Sequence, residues 1–278
     1  MSDSAALAVR RQAAFFDLDK TIIAGSSTLA LGMPLYRCGL LTRKLLARAA
    51  YARAVYRLRG ADHDRMERMR SELTNLVRGW HAAEITRVIE QATPEAIGPL
   101  IYPEAVRLIE EHKAAGHEVW LVSSASDDIV RSVGELLGVT NVIATRMVVD
   151  QGRYTGDIEF YAYADQKADA IRELAARHGY QLADSYAYSD SITDQPMLAA
   201  VGRPYAVNPD RRLRTVAIRQ GWPVMDFGRP KTARNPLTID NRRVAALGAL
   251  GAVALTGLFW ARRGSGRQHA RSVRDRRT

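Results

Sequence analysis

The stretch FFDLDKTII, residues 15–23, places two acidic side chains inside an apolar run that extends from Ala13 to Ile23. The run predicts a buried strand, yet burial of an unpaired carboxylate costs on the order of several kcal/mol. Asp17 and Asp19 are two residues apart, so in an extended chain their side chains point to the same side. Open parallel sheets bind ligands at the carboxyl ends of their strands. The stretch therefore predicts a functional site at the end of the first strand.

The composition of the 278-residue chain is that of a globular protein, with 47% hydrophobic and 25% charged residues. The net charge of +10 is concentrated at the end of the chain, because residues 262–278 contain seven Arg and one Asp. The remainder is only mildly basic, so we expect no nucleic-acid partner. Cys38 is the single cysteine, which excludes an intrachain disulfide and a zinc site built from cysteines.

An uncharged apolar segment, VAALGALGAVALTGLFWA, occupies residues 244–261. As a helix it spans ~27 Å, just enough to cross a membrane. Arginines flank it on both sides and Trp260 lies near one end, which is typical of membrane interfaces. We interpret it as a transmembrane helix or a helix lying in the membrane interface, and a buried or surface helix is the alternative. Residues 226–243 are then a linker, and residues 262–278 a basic tail that attracts anionic membrane lipid.

The pattern of apolar residues divides the remaining chain into two kinds of structure. Residues 13–23 have the pattern of a strand and loop, and residues 26–100 have the helical spacing of three and four, which predicts an inserted helical bundle. From residue 101 strands and helices alternate, with a hairpin turn at Gly152, a helix that ends at Gly179 and a last strand at residues 204–208. We therefore predict an α/β fold, a Rossmann-like parallel sheet with helices on both faces, formed by residues 1–25 and 101–225. Residues 26–100 form a helical cap.

Four polar elements recur where predicted strands end or helices begin. They are DLDKT at residues 17–21, Ser123 after the strand VWLV, Lys167 at the start of a helix, and SDSITD at residues 189–194 after the strand YAY. Each has a purely structural explanation when taken alone, as a surface lysine, a helix cap or a capped turn. Their joint occurrence at one edge of a parallel sheet favours an active site.

In this order the four elements resemble the motifs of the haloacid dehalogenase superfamily. The resemblance is to its subfamily IB, which is phosphoserine phosphatase-like and carries a helical cap between the first and second motifs. It covers residues 13 to about 220. It implies a Rossmann-like core and Mg²⁺-dependent phosphoryl transfer through an aspartyl-phosphate.

The resemblance also implies a role for each matched residue. Asp17 is the expected nucleophile and Asp19 the general acid and base. Phosphate or substrate contacts are expected from Ser123, Ser124, Lys167 and Thr193. Mg²⁺ is expected at Asp17, Asp19 and Asp190, with Asp194 in support. The chemistry agrees, since Mg²⁺ and a lysine ammonium reduce the repulsion between a carboxylate and a phosphate dianion, and Mg²⁺ prefers oxygen ligands.

The expected activity is that of a Mg²⁺-dependent phosphatase acting on a small phosphorylated metabolite. The alternative is a non-catalytic module that binds phosphate or anionic lipid, but such a module has no need of Asp19. Phosphoserine phosphatases usually carry a Glu shortly after the first motif, where this chain has Ser26 and Ser27, so the choice between phosphoserine and another phosphomonoester stays open. No apolar stretch of signal-peptide length precedes the first strand, so we expect a cytoplasmic catalytic domain held at the membrane.

Overall fold

Seven strands carry the fold in the part of the chain that the computed structural model describes, which comprises residues 11–41, 77–228 and 230. In chain order they are β1 Ala13–Phe16, β2 Glu118–Ser126, β3 Asn141–Asp150, β4 Arg153–Phe160, β5 Tyr186–Ser189, β6 Arg203–Val207 and β7 Val224–Met225. They form one sheet in the order β4-β3-β2-β1-β5-β6-β7. Neighbouring strands are parallel except β3 and β4, which are antiparallel. The sheet confirms the predicted α/β architecture.

Helices cover both faces of this sheet. Those in the described residues are α1 Ser27–Ala30, α2 Gly32–Arg37, α3 Ala82–Ala96, α4 Pro103–Ala114, α5 Asp127–Leu136, α6 Asp165–His178, α7 Gln195–Ala199 and α8 Arg211–Gln220. Buried residues of α4 and α5 join Ala14 and Phe16 in one apolar cluster, and those of α6, α7 and α8 join Ala13 and Phe15 in a second. Alternate residues of a strand point to opposite faces, so β1 is the central strand between two helical layers.

Residues 13–23 form a strand followed by a loop, as the sequence analysis predicts. β1 ends at Phe16, and the chain then turns back on itself, because the amides of Ile22 and Ile23 both donate to the carbonyl of Leu18 at 2.9 and 3.1 Å. Lys20 adopts a left-handed backbone conformation with φ 63° within this turn. The two acids of the first motif therefore lie on a loop beyond the strand, where buried apolar neighbours make the loop resemble a strand in sequence.

The last strand differs from the prediction. The sequence analysis ends the alternating region at residues 204–208, which correspond to β6, whereas the sheet continues to β7 at its edge. β7 is only two residues long, so it has too few positions to show an alternating pattern. Phe227 follows it and packs edge-on against Tyr102, with ring centroids 5.7 Å apart. The beginning of the predicted linker at 226–243 thus packs on the core.

Two turn predictions are confirmed. Gly152 lies in the tight turn between β3 and β4 with φ 76°, and Gly179 ends α6 in a left-handed conformation with φ 72°. A side chain at either position would be strained, because residues other than glycine rarely adopt these angles.

The described residues between β1 and α4 contain the helices α1, α2 and α3, together with turns and loops. Residues 42–76 of the predicted cap at 26–100 lie outside the described residues. The two ends of the insertion between β1 and α4 are neighbours, since the Ala24 amide donates to the Leu100 carbonyl at 2.7 Å and the Tyr102 amide to the Ile22 carbonyl at 2.9 Å. The boundaries of a separate cap domain stay a prediction.

A short non-helical stretch, residues 79–81, precedes α3, and we call it the return segment. Its Gly79 amide donates to the Tyr154 carbonyl at 2.8 Å, and the Tyr154 amide donates to the Trp80 carbonyl at 3.0 Å, so it pairs with the start of β4. Nearby, Thr86 on α3 and the hydroxyl of Tyr154 each donate to Asp128 at 2.6 Å. This part of the insertion is therefore not helical and is tied to the hairpin and to α5.

No helix within residues 11–41 and 77–228 has the length and apolar character that a membrane crossing requires. The apolar segment at 244–261, the basic tail at 262–278 and most of the linker lie outside the described residues. The sequence-based interpretation of these segments stays a prediction.

Candidate active site

The register of the sheet brings the polar elements to one edge. Phe16 at the end of β1 is level with Leu121 of β2 and Tyr188 of β5. Asp17 continues this alignment, because its amide donates to the Tyr188 carbonyl at 2.9 Å. Asp190 follows β5 directly and Ser123 lies just beyond Leu121, so the first, second and fourth elements meet where the central strands end.

A buried lysine joins the first and fourth elements. Lys167, the third residue of α6, donates from Nζ to Asp17 Oδ1 at 2.7 Å and to Asp194 Oδ2 at 2.9 Å. Ser189 also donates to Asp194 Oδ2, at 2.7 Å. The lysine side chain is only 3% exposed. A buried ammonium group is stable only when anionic groups contact it. The hydrogen bonds of Lys167 therefore hold Asp17 and Asp194 in place in one network.

The network contains more negative than positive charge. Burial raises the pKa of Asp17 to about 8, and although the Lys167 ammonium opposes this, the carboxylates of Asp194 and Asp190 add to it. Burial likewise raises the pKa of Asp190 to about 6, against the opposing charge of Lys20. Burial alone would lower the pKa of Lys167, but Asp17 and Asp194 outweigh it and hold the pKa above its usual value. An additional cation would relieve this excess of buried carboxylates.

The donor atoms at this edge suit Mg²⁺. Asp17 and Asp190 supply carboxylate oxygens, and Mg²⁺ favours a few such ligands with the rest of its shell occupied by water. Within the described ranges no cluster of three His, Cys, Asp or Glu side chains is arranged around a common metal position. The expected set does not require one, because it takes the main-chain carbonyl of Asp19 as its third ligand. Lys20 lies beside Asp190, with Nζ 3.5 Å from Oδ2.

Asp19 is held apart from the lysine network. Its Oδ1 accepts a hydrogen bond from the Ser27 amide at 2.9 Å, which ties the loop after β1 to the start of α1. Burial raises the pKa of Asp19, while hydrogen bonds from Ser27 and Ser26 and the charge of Lys20 oppose the shift. A raised pKa makes the carboxyl group easier to protonate, which suits a general acid and base.

The second element lies on an irregular part of β2. Ser123 is buried, and its Oγ accepts from the Ala125 amide at 3.2 Å, while the pairing with β3 shifts register between Ser123 and Ser126. Ser124 is exposed, and its carbonyl accepts from Thr145 Oγ1 at 2.8 Å. α5 begins immediately afterwards, and amides at a helix N-terminus favour anions.

Thr193 precedes the network residue Asp194, and its side chain contacts Ser191. It lies in the 3₁₀ turn Ile192–Asp194, and its Oγ1 is 3.0 Å from Ser191 Oγ. The sequence analysis assigns no role to Lys20, which contacts Asp190, or to Ser189, which donates to Asp194. Both lie inside the quoted motifs, DLDKT and SDSITD, but the residue types alone do not indicate these contacts.

The α/β sheet, the two acids after its first strand and the buried lysine against one of them form the arrangement that the motif resemblance implies for a hydrolase. The sequence family described as haloacid dehalogenase-like hydrolase matches residues 14–199 of this chain. The chain belongs to that family, and within it to the phosphatases.

Curated relatives match most of the chain. A Streptomyces azureus protein named inhibition of morphological differentiation protein is 51% identical and covers 90% of this chain and 92% of its own. A phosphoserine phosphatase from Mycobacterium tuberculosis strain H37Rv is 33% identical, with coverages of 86% and 77%. A histidinol-phosphatase from Neisseria meningitidis is 34% identical, with coverages of 77% and 98%.

Solved structures have the same fold. A protein of unknown function from Bordetella pertussis superimposes with a TM-score of 0.69 at 30% identity, covering 78% of this chain and 99% of its own. A phosphoserine phosphatase without ligand gives a TM-score of 0.56 at 18% identity, with coverages of 79% and 95%. The second likeness concerns the fold alone.

Proposed function

We propose that the protein is a Mg²⁺-dependent phosphatase that hydrolyses a small phosphomonoester through an aspartyl-phosphate on Asp17. The observation that carries the proposal is the buried contact between Lys167 and Asp17. It anchors one carboxylate oxygen and places a fixed positive charge where a phosphate dianion would approach. A purely structural role would not explain why Lys167 and Asp17 are buried together at the ends of the central strands.

The reaction divides between the two acids. Asp17 attacks the phosphorus atom, the bond to the leaving oxygen breaks, and Asp19 gives that oxygen its proton. Asp19 then takes a proton from the water that attacks the aspartyl-phosphate, so that phosphate leaves and both carboxylates return to their initial state. Ser123 and the amides before α5 hold phosphate oxygens. When bound at Asp17, Asp190 and the Asp19 carbonyl, Mg²⁺ reduces the repulsion between the nucleophile and the phosphate.

The substrate class is a small phosphomonoester, and two observations bear on its leaving group. Relatives of nearly equal identity, 33% and 34%, are named for two different substrates, phosphoserine and histidinol phosphate. The chain has Ser26 and Ser27 where phosphoserine phosphatases usually carry a Glu, so no carboxylate from this position meets a substrate ammonium group. We therefore propose a leaving group other than serine. The alternative of a non-catalytic lipid- or phosphate-binding module leaves Asp19 without a role.

Metal removal tests the proposal. The full-length protein should release inorganic phosphate from at least one member of a panel that includes phosphoserine and histidinol phosphate. We expect EDTA to abolish this activity and Mg²⁺ to restore it, whereas Ca²⁺ should not, because its larger and more variable coordination shell misplaces the nucleophile. Asp190→Ala should raise the half-saturating Mg²⁺ concentration by at least about 10-fold.

The matched control is Asp169→Ala, which removes an acid whose side chain is 64% exposed on α6. Its Mg²⁺ requirement should equal that of the wild type. Activity that persists in EDTA after exhaustive dialysis would contradict the proposed metal dependence.

We also propose that residues 244–261 attach the enzyme to the cytoplasmic face of a membrane. The support is the sequence of the segment, with burial of its apolar side chains and an Arg-rich tail worth about 1 kcal/mol per basic residue near anionic lipid. Lysines and arginines occur on both sides, five in residues 229–243 and seven in residues 262–278, so the positive-inside rule favours neither orientation.

Fractionation of cells tests the attachment. The full-length protein is expected in the membrane fraction at low salt, and the double substitution Leu250→Asp with Leu255→Asp should move it to the supernatant, because two charges disrupt the apolar run. Ile218→Asp, at a residue of α8 that is 72% exposed, is the control and should leave the distribution unchanged. Release by alkaline carbonate would indicate interfacial binding. A wild-type protein found in the supernatant at low salt would refute the attachment.

A further inference from the structure

Asp210 connects the loop after β5 to helix α8. Its Oδ1 accepts from the Leu213 amide at 2.8 Å, which caps the first turn of α8. Its Oδ2 accepts from the Ile192 amide at 3.0 Å, and its own amide donates to the Asp190 carbonyl at 2.8 Å. One residue thus holds the main chain of this loop at two points, on either side of Ser191.

Asp210 is itself held in place from the other side. Asn208, two residues earlier, has a left-handed backbone with φ 43°, which Asn tolerates better than most residues. Its amide donates to the Met225 carbonyl and its Oδ1 accepts from the Phe227 amide, both at 2.8 Å. The turn before α8 is therefore hydrogen-bonded to β7 and to the residue Phe227 that follows it. Asp210, which contacts the loop after β5, belongs to this anchored turn.

The loop held in this way carries two residues of the site. Asp190 begins it and is buried, and Asp194 ends it and accepts the hydrogen bond from Lys167. Helix capping requires only one side-chain oxygen, and that oxygen is Oδ1. The second oxygen and the amide of Asp210 have no part in capping. Both make hydrogen bonds to the main chain of the loop after β5.

We propose that Asp210 is a positioning residue that sets the main chain around Asp190 for Mg²⁺, in addition to capping α8. The inference rests on the proposed function, in which Asp190 is a metal ligand. Residues that hydrogen-bond to the ligands of a metal site orient those ligands, and loss of such a residue typically weakens metal binding by about 10- to 100-fold.

Three variants separate positioning from helix capping. Asp210→Ser retains a good capping hydroxyl but is shorter and has a single oxygen, so it caps α8 and does not reach the Ile192 amide. Asp210→Ala removes both functions. Gly221→Ala destabilises the same helix from its other end, because Gly221 ends α8 with φ 68°, an angle that strains a residue with a side chain. The space around Gly221 is open, so the added methyl group meets no neighbouring atom.

The measurement is calorimetric titration of each full-length variant with Mg²⁺ alone, together with its thermal unfolding midpoint. For Asp210→Ser we expect the dissociation constant for Mg²⁺ to rise by about 10- to 100-fold with an unfolding midpoint near that of the wild type. For Gly221→Ala we expect a lower midpoint and an unchanged dissociation constant. Asp210→Ala should show both changes.

The outcomes distinguish this inference from the proposed function. A wild-type protein that binds Mg²⁺ and an Asp210→Ser variant that binds it equally well would show that Asp210 only caps the helix. Equal weakening by Gly221→Ala would show that helix stability alone is responsible. A wild-type protein that binds no Mg²⁺ would overturn the proposed metal site and this inference with it.

Discussion

Asp17→Asn is expected to abolish phosphate release, with a loss of about 10⁴-fold or more, because removal of a nucleophile leaves only binding and electrostatic contributions. The fold should persist. The amide oxygen of Asn can still accept from Lys167, and the substitution removes a buried carboxyl whose pKa burial raises to about 8. The measurement is steady-state turnover with saturating Mg²⁺, accompanied by circular dichroism.

The control for this variant is Asp169→Asn, an isosteric change at an exposed acid paired with Arg172 on the surface of α6. It should retain wild-type turnover, since exposed ion pairs contribute little. Comparable turnover by Asp17→Asn, in a preparation shown to be free of other phosphatases, would exclude Asp17 as the nucleophile. The wild type quenched in acid during turnover should carry covalent phosphate, and the variant should not.

Lys167→Met is expected to abolish activity and to destabilise the protein, by about 3–5 kcal/mol at pH 9. The reason is that the substitution leaves the buried carboxylates of Asp17 and Asp194 without the ammonium that contacts both of them. The measurement is urea unfolding in EDTA, so that metal binding does not contribute.

The loss of stability in Lys167→Met should increase with pH. Folding raises the pKa of Asp17 from 3.8 to about 8 even with Lys167 present, and the substitution removes the charge that opposes this rise. A group whose pKa is raised by folding stabilises the fold below its unfolded pKa, and the stability is lost as pH increases toward the folded value. In the variant the folded pKa of Asp17 is higher still, so the two proteins differ once Asp17 ionises in the wild-type fold. The deficit of Lys167→Met should therefore be smallest below pH 8 and grow as pH rises through about 8.

The comparison for this variant is Lys113→Met, which removes a partly exposed lysine paired with Glu110. Its effect on unfolding should be small and should not grow between pH 6 and pH 9. If the deficit of Lys167→Met were the same at both ends of this range, the buried carboxylates would not be its cause.

Local patterns in the sequence predict the parts of this fold that depend on local physics. The helical spacing of apolar residues in α6 and its glycine at residue 179 suffice to place that helix and its end, because both signals lie within a few residues of each other. The turn at Gly152 is predictable for the same reason. A strand of two residues, such as β7, carries no such signal.

Predicting the residues of the site required the resemblance to a known family as well as the pattern of apolar residues. Lys167 and Asp17 are 150 positions apart, and no periodicity indicates that their side chains meet at 2.7 Å. Ser189 lies in the fourth motif, but its hydrogen bond to Asp194 depends on where the loop after β5 turns. The residue at which β1 gives way to the loop has no local signal, because Leu18, Ile22 and Ile23 in the loop are buried by tertiary packing.

The return segment determines which parts of the structure open together. The amides of Gly79 and Tyr154 each donate to the other strand, and burial and Asp128 raise the pKa of the Tyr154 phenol, so it remains a hydrogen-bond donor over the ordinary pH range. Exposing these amides to solvent requires separating the return segment from β4, and Thr86 of α3 and Tyr154 of β4 share Asp128 as a partner. We therefore expect hydrogen exchange of this segment to be coupled to that of the β3–β4 hairpin, as in one cooperative unit of local unfolding.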